Sequence, residues 1–150
     1  MAGILIPRLQ TKEEIDRAIL DTREKVLVLR FGRADDLECI KIDDIFSKVM
    51  EALSNMAVFY TVEVDSVPIY VHYFDITLIP STIFFFNAQH IKVDWETPDH
   101  TKFVGSFKTK QDVIDVVEVI FRGAMKGKLI VKSPLDPRNV PRYELIYKDI

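Results

Sequence analysis

The sequence predicts an α/β protein with a mixed central β-sheet flanked by helices and a C-terminal extension. Three observations carry this. Val26–Phe31 is a near-continuous apolar run, as expected of a central strand covered on both faces, and Ala57–Val64 is a second strong strand signal rich in β-branched and aromatic residues. Stripes of apolar residues at helical spacing lie around and between them. Two further strand signals, Ser81–Phe86 and Ile91–Trp95, are separated only by Asn87-Ala88-Gln89-His90, a short polar spacer that suits a hairpin. The order helix–strand–helix–strand–helix–strand–strand–helix sets a βαβ half before a ββα half.

Each element has a local cause. Thr11-Lys12-Glu13-Glu14 forms a capping box, and Ile15, Ala18 and Ile19 give the helix after it one apolar side. Gly32 ends the first strand. After an acidic loop, a helix from about Glu38 carries Ile42, Ile45, Phe46, Val49 and Leu53. A short helix is predicted around Ile69–Phe74. Thr109 caps a last helix to about Met125, with Val113, Val116, Val117, Ile120 and Phe121 on its buried side and Gly127 stopping it. Pro134, Pro137 and Pro141 exclude a long helix after that. Residues 1–128 therefore read as the domain. Residues 129–150 read as an extension packed on or near it through Leu135, Tyr143, Leu145, Ile146 and Tyr147.

Composition narrows the function. A chain of 150 residues that is 48% apolar and 29% charged has the usage of one folded domain, not of a disordered segment. No apolar run reaches the roughly 18 residues of a membrane span, and the first ten residues show no secretory signal. The net charge of −3 argues against nucleic-acid binding driven by overall charge. One cysteine makes neither an internal disulfide nor a CxxC pair nor a thiolate zinc cluster, and fits a reducing compartment. His72, His90 and His100 lack a ligand spacing, so no metal or other cofactor is expected.

The element order resembles the thioredoxin fold, and two segments sharpen the match. Phe74-Asp75-Ile76-Thr77-Leu78-Ile79-Pro80-Ser81-Thr82 is similar to the thioredoxin segment that passes through a cis-proline into a strand. Counting eight residues on from Phe31, Cys39 falls on the second cysteine of CxxC, and Asp36 on the first. Arg30 stands where thioredoxins carry a buried acid. Dithiol exchange needs an attacking thiolate and a resolving thiol, and a carboxylate at the attacking position supplies neither. Asp36, Cys39 and Pro80 thus read as a degenerate thioredoxin site, with Asp36 available to cap the helix after it.

Arg30-Phe31-Gly32, Phe84-Phe85-Phe86, Arg122-Gly123-Ala124-Met125-Lys126-Gly127-Lys128 and Ser133-Pro134 resemble the Dim family of spliceosomal thioredoxin-like proteins. The match runs from about Leu5 to Pro134. The segment Pro98–Phe107 and the ending Tyr143–Ile150 resemble one branch of it, a branch also linked to cell-cycle progression. The resemblance implies a nuclear, non-catalytic adaptor in pre-mRNA splicing, bound to tri-snRNP proteins of the helical-repeat scaffold type. The other branch carries a cysteine after the proline matching Pro80; Ser81 stands there in this chain, so a disulfide with Cys39 is impossible.

Surface features bear on partners. Between Asp35 and Asp65 there are eight acids and two bases, a balance of −6; between Thr101 and Lys132, seven bases and three acids give +4. Solvated helix faces are one reading of this asymmetry. The other is a basic edge at Arg122, Lys126, Lys128 and Lys132 that docks an acidic protein or RNA phosphates. Opposed charge also permits a homodimer. Direct RNA binding is disfavoured by net charge and by the lack of an RNP-like motif. Phe84–Phe86 read as core. Trp95 with Phe103 or Phe107 would mark a binding patch if exposed together. The rival functional class is a monothiol oxidoreductase using Cys39.

Overall fold

The structure, a computed structural model, describes residues 5–141. Eleven elements follow in order, with the 3-10 turns set aside: β1 (Arg8–Leu9), α1 (Lys12–Asp21), β2 (Val26–Gly32), α2 (Leu37–Val49), β3 (Ala57–Glu63), α3 (Pro68–Tyr73), β4 (Ser81–Phe86), β5 (Gln89–Asp94), β6 (Phe103–Val104), α4 (Lys110–Met125) and β7 (Ile130–Lys132). They build a mixed sheet in the order β1-β3-β2-β4-β5-β7, with β6 paired to β4 off that path. β1, β3 and β2 run parallel; β4 is antiparallel to β2 and to β5; β7 returns parallel to β5.

Alternation along β2 divides the core. Val26 and Val28 point to one face, where α2 packs Ile42, Phe46 and Val49 beside Val113, Val116, Val117 and Ile120 of α4. Leu27, Leu29 and Phe31 point to the other, against Ile15 of α1 and Val67 and Phe74 around α3. With helices on both faces, every residue of β2 and β4 is buried, including Phe84, Phe85 and Phe86.

The caps act as the sequence requires. Thr11 and Glu14 complete both halves of their box, and Thr109 accepts from the Asp112 amide at the start of α4. α2 stops at Val49, one turn earlier than the apolar spacing predicts; Leu53 lies in the turns that follow and is buried there all the same. The β4–β5 turn is Asn87-Ala88 alone, both at positive φ (50° and 67°), the backbone a two-residue hairpin demands. Asn87 is further fixed by accepting the Glu24 amide on its side chain (2.7 Å).

Three strands carry no sequence signal. β1, β6 and β7 have two or three residues, too few for a period to show. β7 lies in the stretch read as the extension, and it is a strand of the sheet. Val131 enters the core beneath α4, where a Cβ on Gly123 would sit 2.5 Å from its methyl group. Leu135 and Val140 are buried as well. Tyr143, Leu145, Ile146 and Tyr147 lie outside the described residues.

Candidate functional site

The residues matching the thioredoxin site gather at the C-terminal end of β2. Asp36 is the N-cap of α2, and its carboxylate accepts the Cys39 backbone N–H at 3.0 Å. Cys39, one turn in, is 0% exposed. Burial pushes its thiol up to about 11; a backbone hydrogen bond at Arg33 and the nearby Arg30 charge act in the opposite sense without offsetting it. At neutral pH the group therefore rests as the thiol. The Phe31↔Ser81 register brings Pro80 to the same end of the sheet, after a cis Ile79–Pro80 peptide bond. Ser81 is fully buried and donates its hydroxyl to the Leu78 carbonyl at 2.6 Å.

A charge pair lies beneath this site. Arg30 faces α2 and is 2% exposed; its Nε and Nη2 donate to the two carboxylate oxygens of Asp43, at 2.8 and 2.6 Å. The bidentate geometry is the strong form of an arginine–carboxylate contact. Gly32 is the residue that lets the pair and the thiol coexist. A Cβ there would lie 2.4 Å from Cys39 Sγ and 2.7 Å from Arg30 Nη1. The groove beside the pair holds about 370 Å³ between Ile6, Arg8, Ile40 and Asp43, and Cys39 does not line it. The arrangement has one buried thiol, a capping carboxylate and a guanidinium paired through Nε and Nη2, with Nη1 left without a partner among the described residues. With one cysteine in the chain, no second thiol stands beside Cys39 to resolve a mixed disulfide.

The basic residues fall elsewhere. β7 and β5 run in the direction of β2, so Lys126 and Lys128, which lead into the start of β7, lie toward the end of the sheet opposite Cys39. Arg122 pairs with Glu118 at 3.2 Å, whereas among the described residues Lys126, Lys128 and Lys132 make no ion pair. Met125, Leu129 and Ile130 stand among them, each about half exposed. Sequence reasoning singled out the charges and missed these apolar neighbours. Asp43 was missed too, because a carboxylate within a helical stripe announces its partner only through the fold.

Two expectations are corrected. Trp95, Phe103 and Phe107 do not form a surface patch: all three are buried, with the Phe rings stacked at 4.0 Å and the indole edge-on to Phe103 at 4.7 Å. Lys102, counted with the basic residues, is 7% exposed and donates to the Phe74 carbonyl at 2.9 Å while pairing with Asp99. Burial alone would raise the Asp99 carboxyl, but hydrogen bonds from Lys102 and Thr101 hold it below the usual range. Among the described residues, no three His, Cys, Asp or Glu side chains converge on a point that could hold a metal.

The fold and this altered site define a thioredoxin-like protein without the dithiol. A family profile described as Mitosis protein DIM1 matches residues 5–137, and the chain belongs to that family. It is 64% identical to thioredoxin-like protein 4B of Mus musculus over 148 residues, 99% of each chain. It is 35% identical to the spliceosomal protein DIB1 of Saccharomyces cerevisiae over 136 residues, covering 91% of this chain and 95% of that one. A solved thioredoxin of Fasciola hepatica superposes with a TM-score of 0.62, over 77% of this chain and 99% of its own, at 14% identity. That likeness bears on the fold alone.

Proposed function

We propose that this protein is a non-catalytic adaptor of nuclear pre-mRNA splicing, acting through protein contacts within the tri-snRNP and, by that route, in cell-cycle progression. The observation that carries the reading is the altered thioredoxin site. A fully buried thiol raised to about 11, with Asp36 in the attacking position, supports a scaffold kept for its surface. The names of its relatives, a spliceosomal protein among them, point to where that surface works. Arg122, Lys126, Lys128 and Lys132 are the docking residues, and the partner is a tri-snRNP protein of helical-repeat type.

Affinity purification of tagged protein from nuclear extract, read by mass spectrometry, tests this with two variants. Wild type and Cys39→Ser should recover the same spliceosomal proteins, and Lys126→Glu/Lys128→Glu at least tenfold less. A monothiol oxidoreductase would instead lose covalently trapped partners in Cys39→Ser while the lysine reversal changed nothing. That pattern, or the absence of spliceosomal proteins from every purification, overturns the adaptor.

A further inference from the structure

We propose that the open edge of β7 binds an acidic polypeptide segment in extended conformation, added as a further strand of the sheet. This rests on reading the Arg122–Lys132 stretch as a docking surface and deepens it by naming the mode and chemistry of the partner. β7 ends the sheet, with β5 on its inner side and no strand beyond it among the described residues. Leu129 accepts the Lys92 amide and Ser133 donates to the Asp94 carbonyl, both at 2.9 Å, so these alternate residues turn their backbone groups to β5. The N–H and C=O groups of Ile130 and Lys132, between them, point outward. Among the described residues they form an unpaired ladder, the template on which strand addition works.

What surrounds the ladder selects the strand. Lys126, Lys128 and Lys132 line it without ion partners among the described residues, and Met125, Leu129 and Ile130 supply apolar contact beside them. Carboxylates on one side of an incoming strand would meet the ammonium groups, and apolar residues would cover the exposed methyls. A second copy of this edge would bring lysine against lysine, so the charge that admits an acidic strand opposes self-pairing. Among the described residues no exposed aromatic stands in the patch as a stacking platform for bases, and the outward carbonyls of Ile130 and Lys132 would face phosphate oxygens with like partial charge. The features together fit a peptide.

The probe is a fluorescent octapeptide of alternating Glu and Val, measured by anisotropy on the full chain. Ile130→Pro removes one outward N–H while sparing the bonds of Val131 to β5; Ile130→Thr keeps the N–H and is the control. Binding should weaken at least tenfold with Ile130→Pro, with Lys126→Glu/Lys128→Glu and with a peptide N-methylated on its pairing face, and little with Ile130→Thr. The Ile130 and Lys132 amide resonances should shift on titration. Binding that ignores both Ile130→Pro and N-methylation overturns strand addition and leaves the basic docking surface standing. So does an absence of peptide binding when the lysine reversal still lowers recovery of spliceosomal proteins. Displacement of the peptide by equimolar polyuridylate would transfer the edge to RNA and overturn the proposal.

Discussion

Arg30 and Asp43 form a buried charge pair beside the Cys39 thiol, whose own state is set first by burial. The guanidinium gives Nε and Nη2 to one carboxylate and is walled from water, while Nη1 has no hydrogen-bond partner among the described residues; its charge lowers the Cys39 thiol without offsetting burial. Removing one partner of such a pair leaves a buried charge. Asp43→Ala should cost about 3 kcal/mol, whereas the paired change Arg30→Met/Asp43→Leu should return to within about 1 kcal/mol of wild type. Urea midpoints of the two variants check this; equal losses would mean that water reaches the guanidinium. At this scale, local relations were legible. The cap at Asp36 and the burial of Cys39 follow from spacing along the chain, but Asp43 lies 13 residues from Arg30 and only packing joins them.

Elements repeat the pattern. The sequence located every element of six residues or more, all but α3 through a period, a cap or an apolar run. The β4–β5 hairpin shows what a period cannot hold. His90 turns inward from the start of β5 to sit between Phe74 and Phe85, with Nε2 bonded to the Thr101 carbonyl at 2.9 Å. Burial lowers its pKa; the Thr101 carbonyl and Asp99 act against that shift, Lys92 and Lys102 with it. A neutral histidine in the fold binds fewer protons than one in the unfolded chain. Its contribution is therefore whole above the unfolded value of about 6.5 and is lost as pH falls through the lowered folded value. Wild type should lose urea resistance between pH 7.5 and 5.5, and His90→Gln should lose less over that interval. Parallel profiles would place the titration elsewhere. The buried cluster of Trp95, Phe103 and Phe107 was not assignable from sequence for a related reason: β6 is two residues long, so no alternation tells which way its phenylalanine points.

For the whole molecule, the thioredoxin-like architecture was legible because two long parallel strands and the strand pair after them dictate it. The return of the chain into the sheet at β7 was not, since prolines and three short residues of strand look like a tail. Val131, Leu135 and Val140 are each buried. At about 1.5–3 kcal/mol for each buried side chain, a chain ended after Lys128 should lose about 5 kcal/mol and unfold at correspondingly lower urea. An unchanged midpoint would make 129–150 a true appendage.

The Arg30–Asp43 pair also sets which substitutions this site tolerates. Asp36→Cys is a single step and would restore the spacing of two cysteines, but it leaves a cation where a proton-relaying acid would stand. Arg30→Asp on its own would set two carboxylates where a pair now rests and remove the arginine's bulk from a packed site. The single change at position 30 thus passes through a poorer fold. Placing an acid at position 30 needs position 43 to change with it, so the charge pair ties the chemistry open to this site to the stability of the fold.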